Sequence, residues 1–150
     1  MSFFGLTNTI SENNNNTPLI TQAYIRATIP GTSISSAYME IENRSDKPVT
    51  LLRITSDILP RIEMHQHTMV NGMMRMGKLE SIKIESNSRI KLQPSGLHLM
   101  ILDLKTPLKP EQQVEFKLHF SDNVSVSVQV PVYSLAQEQK TASRMNEHHH

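Results

Sequence analysis

The most restrictive pattern in the chain lies towards its C-terminal end. Phe116, Leu118 and Phe120 alternate with Lys117 and His119, and after Ser121-Asp122-Asn123 the residues Val124, Val126, Val128 and Val130 alternate with Ser125, Ser127 and Gln129. A strand sends successive side chains to opposite faces, so this period of two builds one apolar face on a strand and no coherent stripe on a helix. Upstream segments read the same way. Residues 20–28 are rich in β-formers and stop at Pro30-Gly31. Residues 36–42 alternate until the turn at 43–48, the pattern resumes over 49–55, and residues 81–85 and 89–92 alternate again. No segment carries a 3.6-residue apolar stripe of helical length. Short alternating strands between tight turns predict an all-β fold, an antiparallel β-sandwich or barrel.

The chain of 150 residues suits one such domain with tails. Residues 1–18, with four consecutive Asn, read as a disordered leader, and 19–133 as the folded domain. Residues 134–150 are polar and aperiodic and read as a flexible tail, in which His148, His149 and His150 are the remnant of a purification tag. No apolar run reaches the ~18 residues of a membrane span. Fifteen Lys and Arg against fourteen Asp and Glu leave no basic excess for nucleic acid. Cysteine is absent, which removes thiolate nucleophiles, disulfides, iron–sulfur clusters and the thiolate of a blue-copper site.

Methionine, by contrast, is abundant. Five of the nine fall within residues 63–77, together with His65 and His67, and this stretch reads as neither strand nor ordinary loop. Further on, His98 and Met100 are i and i+2 on a strand, so they project outward from one face while Leu97, Leu99 and Ile101 take the core side. Imidazole and thioether without carboxylate is a soft donor set that favours Cu(I) over the oxygen-seeking Mg²⁺ and Ca²⁺. A thioether has no proton to lose and forms no disulfide, which suits an oxidising compartment. Other readings stay open at this level. A Met cluster also fills cores or forms an adaptable protein-docking surface, and His98 alone could be a hydrogen-bonded strand residue. His67 is either an extra ligand or a solvated histidine, and His119 reads as a solvent-facing strand residue without a role.

From His65 ten residues intervene before Met76, then twenty-one before His98, then one before Met100. This H-x10-M-x21-H-x-M spacing resembles the signature of the periplasmic PCuAC copper chaperone family. The resemblance extends over about residues 20–132: Tyr24-Ile25-Arg26-Ala27-Thr28, Ala37-Tyr38-Met39, Ile41-Glu42-Asn43, Glu63-Met64-His65, Met74-Arg75-Met76, the run from Leu92-Gln93-Pro94 to Met100, and Leu104-Lys105-Thr106-Pro107-Leu108 follow in order. Tyr24 stands where the family usually has Trp, and Ser95-Gly96 where it has two Gly. The resemblance implies a cupredoxin-like fold and no enzymatic activity. It also implies His65, Met76, His98 and Met100 as Cu(I) ligands beneath a Met-rich loop, with Cu(II) a further candidate at an additional or overlapping site. The implied partners are an acceptor protein, either a cytochrome c oxidase subunit receiving copper for its CuA centre or a thioredoxin-like copper assembly protein. The implied location is the periplasm, with a signal peptide already removed. Two alternatives stand beside this reading: a copper storage or tolerance protein using the spare Met64, His67, Met69 and Met73, and a metal-free protein-interaction module.

Overall fold

The computed structural model describes residues 17–147, with side chains as far as residue 141. The expected disordered leader thus lies outside the described residues except for Thr17 and Pro18, as do His148, His149 and His150. Ten strands follow in order: β1 (Leu19–Arg26), β2 (Ser35–Asn43), β3 (Val49–Thr55), β4 (Arg61–Val70), β5 (Met73–Leu79), β6 (Ile82–Ile84), β7 (Ser88–Leu92), β8 (Leu97–Leu102), β9 (Gln113–Phe120) and β10 (Ser125–Tyr133). They pair in the order β5-β4-β8-β2-β1-β10-β9-β3-β6, while β7 takes the part of the β2 edge that β8 leaves free. The all-β expectation holds, with one correction to antiparallel pairing. β1 and β10 run parallel, Ile25 opposite Val132, because these strands are distant in sequence and need no hairpin between them.

The alternation read from the sequence becomes the core. Val114, Phe116, Leu118 and Phe120 of β9 are buried. They pack with Ile25, Ala37, Met39, Ile41, Leu51, Leu99, Ile101, Val130 and Val132 in one cluster shared by both ends of the strand order. Asn43 is the polar exception, 2% exposed. Its amide donates to the carbonyls of Lys47, Ile84 and Glu85, and its carbonyl accepts from Ser45, so burial leaves no group unpaired.

Two expectations are corrected here. Residues 63–77 form no loop: they are most of a β-hairpin, β4 and β5, paired from Met64 opposite Leu79 to Val70 opposite Met73. Asn71 and Gly72 make its turn with φ of 54° and 77°, the pair of left-handed residues that matches the twist of a two-residue hairpin. The second correction concerns the tail. Helix α1 (Leu135–Glu147) replaces most of it. Ser134 and Gln137 form a reciprocal capping box at its start, the Ser134 Oγ accepting from the Gln137 N–H and the Gln137 side chain accepting from the Ser134 N–H. Among the described residues no helix is long and apolar enough to cross a membrane.

The helix is clamped to the sheet by one carboxylate. Glu138 accepts from the Tyr24 hydroxyl at 2.7 Å and from the Arg26 Nε at 2.9 and 3.0 Å, and pairs with a second Arg26 nitrogen at 2.9 Å. Tyr24 stacks on Tyr133 with ring centroids 4.9 Å apart, and the Arg26 guanidinium lies over the Tyr38 ring at 5.0 Å. Burial pushes the Glu138 pKa up, but the hydrogen bonds from Arg26 and Tyr24 outweigh it and hold the group below the ordinary carboxylate range. A depressed carboxylate contributes stability above its unfolded pKa and loses it as pH falls through the folded one. The α1 helical signal should therefore fade below about pH 4, ahead of the β-sheet signal. Glu138→Gln should cost roughly 1 kcal/mol at pH 7 and flatten that acid limb, since a half-exposed guanidinium weakens the ion pair. Amide NMR of the helix against pH, in both proteins, checks it.

Candidate metal centre

Strand register gathers the histidines and methionines. On β4 the residues Glu63, His65, His67 and Met69 share one face. Their partners are Met100 opposite Glu63 and His98 opposite His65 on β8, and Met76 opposite His67 and Met74 opposite Met69 on β5. Directly opposed residues lie on the same face, so the four residues that the family resemblance implies, His65, Met76, His98 and Met100, project from one face of three adjacent strands. The other face belongs to the core through Met64, Leu99 and Ile101.

A cleft of about 200 Å³ opens on this face. His67, Met76, His98 and Met100 line it with Arg26, Ser36, Tyr38, Pro94 and Ser95. A larger cleft of about 460 Å³, between residues 57–60 and 104–108, offers no imidazole or thioether. Burial and the cleft lining distinguish the three histidines. His98 leaves the sheet on the expected face but is only 4% exposed, because the rings of His67 and His65 crowd it at centroid distances of 4.9 and 5.9 Å. His65 does not line the cleft, whereas His67 does. His65 stands one rung along β4, opposite His98. His119 is remote, bonded to the Thr55 hydroxyl on β3.

The hydrogen bonds decide which ring nitrogens are free. The Nδ1 of His98 lies 3.0 Å from the Gly96 carbonyl. A carbonyl only accepts, so Nδ1 carries the proton and Nε2 keeps the lone pair. The Nε2 of His65 lies 3.0 Å from a Glu63 carboxylate oxygen, so in neutral His65 the lone pair is on Nδ1. That Nδ1 and the Nδ1 of His67 are buried without any hydrogen-bond partner. Buried polar atoms rarely stay unpaired, and two orphaned imidazole nitrogens beside thioethers fit a soft metal ion. Glu63 was not singled out from the sequence. A carboxylate two residues before His65 on the same strand face is the signal that could have found it. It orients the ring as carboxylates orient metal-bound histidines elsewhere. Its pKa is lowered chiefly by the hydrogen bond to His65 and then by Lys78 and Arg61. Burial lowers the His98 pKa; the Gly96 bond partly opposes this, and His67 and His65 add to the fall.

The fold is shared with solved PCuAC domains. The copper-bound PCuAC domain from PmoF2 superposes with a TM-score of 0.67 at 20% identity, over 79% of this chain and 93% of that one. The Cu(I)-bound solution structure of DR1885 from Deinococcus radiodurans does so with 0.64 at 26% identity, over 80% of each chain. Residues 19–132 match the LpqE-like family, “Putative lipoprotein LpqE-like”. This chain belongs to that family, the PCuAC family. A relative from Leifsonia xyli subsp. xyli, “Putative lipoprotein Lxx21020”, is 28% identical over 114 residues, 75% of this chain and 68% of the relative. Rickettsia prowazekii protein RP573 is 30% identical over 101 residues, 67% of this chain but only 56% of its own length.

In the metal-free protein, ¹⁵N-resolved imidazole NMR should find His98 as the Nδ1–H tautomer with a midpoint below the reference of about 6.5. A midpoint above the reference, or an Nε2–H tautomer, would contradict the burial and the Gly96 bond.

Proposed function

We propose that the chain carries Cu(I), binding it through His65, Met76, His98 and Met100 and yielding it to an acceptor protein. The observation that carries this reading is that these residues share one face of β5, β4 and β8, on which the Nδ1 atoms of His65 and His67 are buried and unpartnered. Copper is here the cargo. His98 would offer Nε2 and His65 Nδ1, while Met76 and Met100 supply uncharged sulfur, so the ion keeps its single charge and is held without a thiolate. Such a neutral donor set favours exchange over permanent retention. Met76 is 52% exposed on the edge strand β5, within reach of an incoming protein.

Several findings support the finer reading. The copper-bound domains that share this fold support the metal. The lipoprotein descriptions of the family and of one relative support a location outside the cytoplasm, the periplasm in a cell with two membranes. The proposed destination is the CuA centre of cytochrome c oxidase, as the family resemblance implies. The acceptor is then an oxidase subunit or a thioredoxin-like assembly protein, which must supply any thiol chemistry because this chain has no cysteine. Cu(II) would use the imidazoles of the same face, since it favours nitrogen over thioether.

Anaerobic Cu(I) competition titration tests the reading. His98→Ala and Met100→Ala should each weaken binding at least tenfold, and Glu63→Ala about 10- to 100-fold through the misoriented His65 ring. His119→Ala should change nothing. Equal affinity across all four variants would overturn the ligand assignment. Protons compete for the imidazoles and leave thioethers untouched, so affinity should fall with acidity and level off well above the imidazole pKa values.

A further inference from the structure

The hairpin β4–β5 continues past the site just described, and its methionines divide by position. Met64 is buried in the core, 5% exposed. Met73 lies opposite Val70, on the face turned away from the histidines. Met69 and Met74 lie directly opposite each other on the histidine face, one rung beyond the His67–Met76 pair. They are 67% and 57% exposed, so core filling does not explain them. Pairing with β8 ends at Gln66 opposite Leu97, so this rung belongs to the hairpin alone.

The geometry points to a second Cu(I) site at this rung, formed by Met69 and Met74 with His67 as the imidazole shared towards the first site. It rests on the copper reading above and adds a place for a second ion. Directly opposed strand residues hold their Cβ atoms about 5 Å apart, close enough for two thioethers to converge on one ion. Successive same-face rungs lie about 6.8 Å apart along the strand. A ring between them can therefore serve either ion, and the His67 Nδ1 is one of the two buried, unpartnered nitrogens. The first site spans three rungs, Glu63 with Met100, His65 with His98 and His67 with Met76, and the second adds Met69 with Met74. The outermost is the most exposed and the poorest in imidazole, so it binds more weakly. Cu(I) passing along the rungs exchanges one soft ligand for another, with no electron transferred and no proton released by sulfur.

Native mass spectrometry of the full chain under anaerobic Cu(I) titration tests this. Met69→Leu/Met74→Leu, nearly isosteric and at exposed positions, should bind one Cu(I) fewer than wild type. Met73→Leu on the opposite face should bind the same number. His98→Ala/Met100→Ala should also bind one fewer while keeping the hairpin ion. Any ion held by the terminal histidines persists in every variant and cancels from the differences. No loss in Met69→Leu/Met74→Leu, or an equal loss in Met73→Leu, would overturn the second site and leave the first standing. No loss in His98→Ala/Met100→Ala would instead overturn the first. A wild type that binds no Cu(I) would overturn both and favour a metal-free docking surface.

Discussion

The pairing of β4 with β8 is the constraint on which the candidate centre depends. Met64 opposite Leu99 is a buried pair, and the donors His65 and His98 form the next rung on the reverse side. Because the side-chain period of a strand is two, a slip of β4 by one residue would turn His65 into the core and Met64 out of it. Burying that imidazole unpaired in place of Met64 carries a desolvation cost of about 1–3 kcal/mol. The hydrophobic core thus holds the register, and the register holds the histidines and methionines on one face.

Charge around the centre is arranged with the same economy. Lys78 and Arg61 both approach Glu63, which in turn holds His65. Arg26 reaches the cleft wall but is drawn back by Glu138 on α1 and by the Tyr38 ring. A free guanidinium beside a cation would oppose binding, and at the intermediate dielectric of a protein surface such repulsion is worth kilocalories at short range. The carboxylate on the helix offsets that repulsion, so α1 shapes the field of a site that none of its described side chains enters.

Much of this was legible in the residues alone. Strands β9 and β10 were plain because Phe, Leu and Val alternate with Lys, Ser and Gln, and the four-residue spacing brought out positions that the register then placed on one face. The hairpin escaped notice because methionine occupies both of its faces and its distal half, residues 68–77, is exposed on both, so no apolar-against-polar contrast arises there. The Asn71-Gly72 dipeptide was the local signal for it. Helix α1 escaped because it is polar almost throughout, and only the Ser134-x-x-Gln137 box announced its start. The burial of His98 and the part played by Glu63 depend on neighbours from other strands. Spacing along one chain carries no such information.

The unequal exposure of the methionines also sets an order of failure under oxidative stress. Peroxide reaches Met69, Met74 and Met76 at the surface long before Met39 and Met64, which are 1% and 5% exposed. Sulfoxide replaces a soft sulfur donor with a hard, polar oxygen, while a surface side chain can take it without disturbing the packing. The molecule would then lose its grip on a soft ion while every strand stayed in place, leaving an intact scaffold that sulfoxide reduction alone restores. Damage of that kind is a reversible disarming, and refolding plays no part in the recovery.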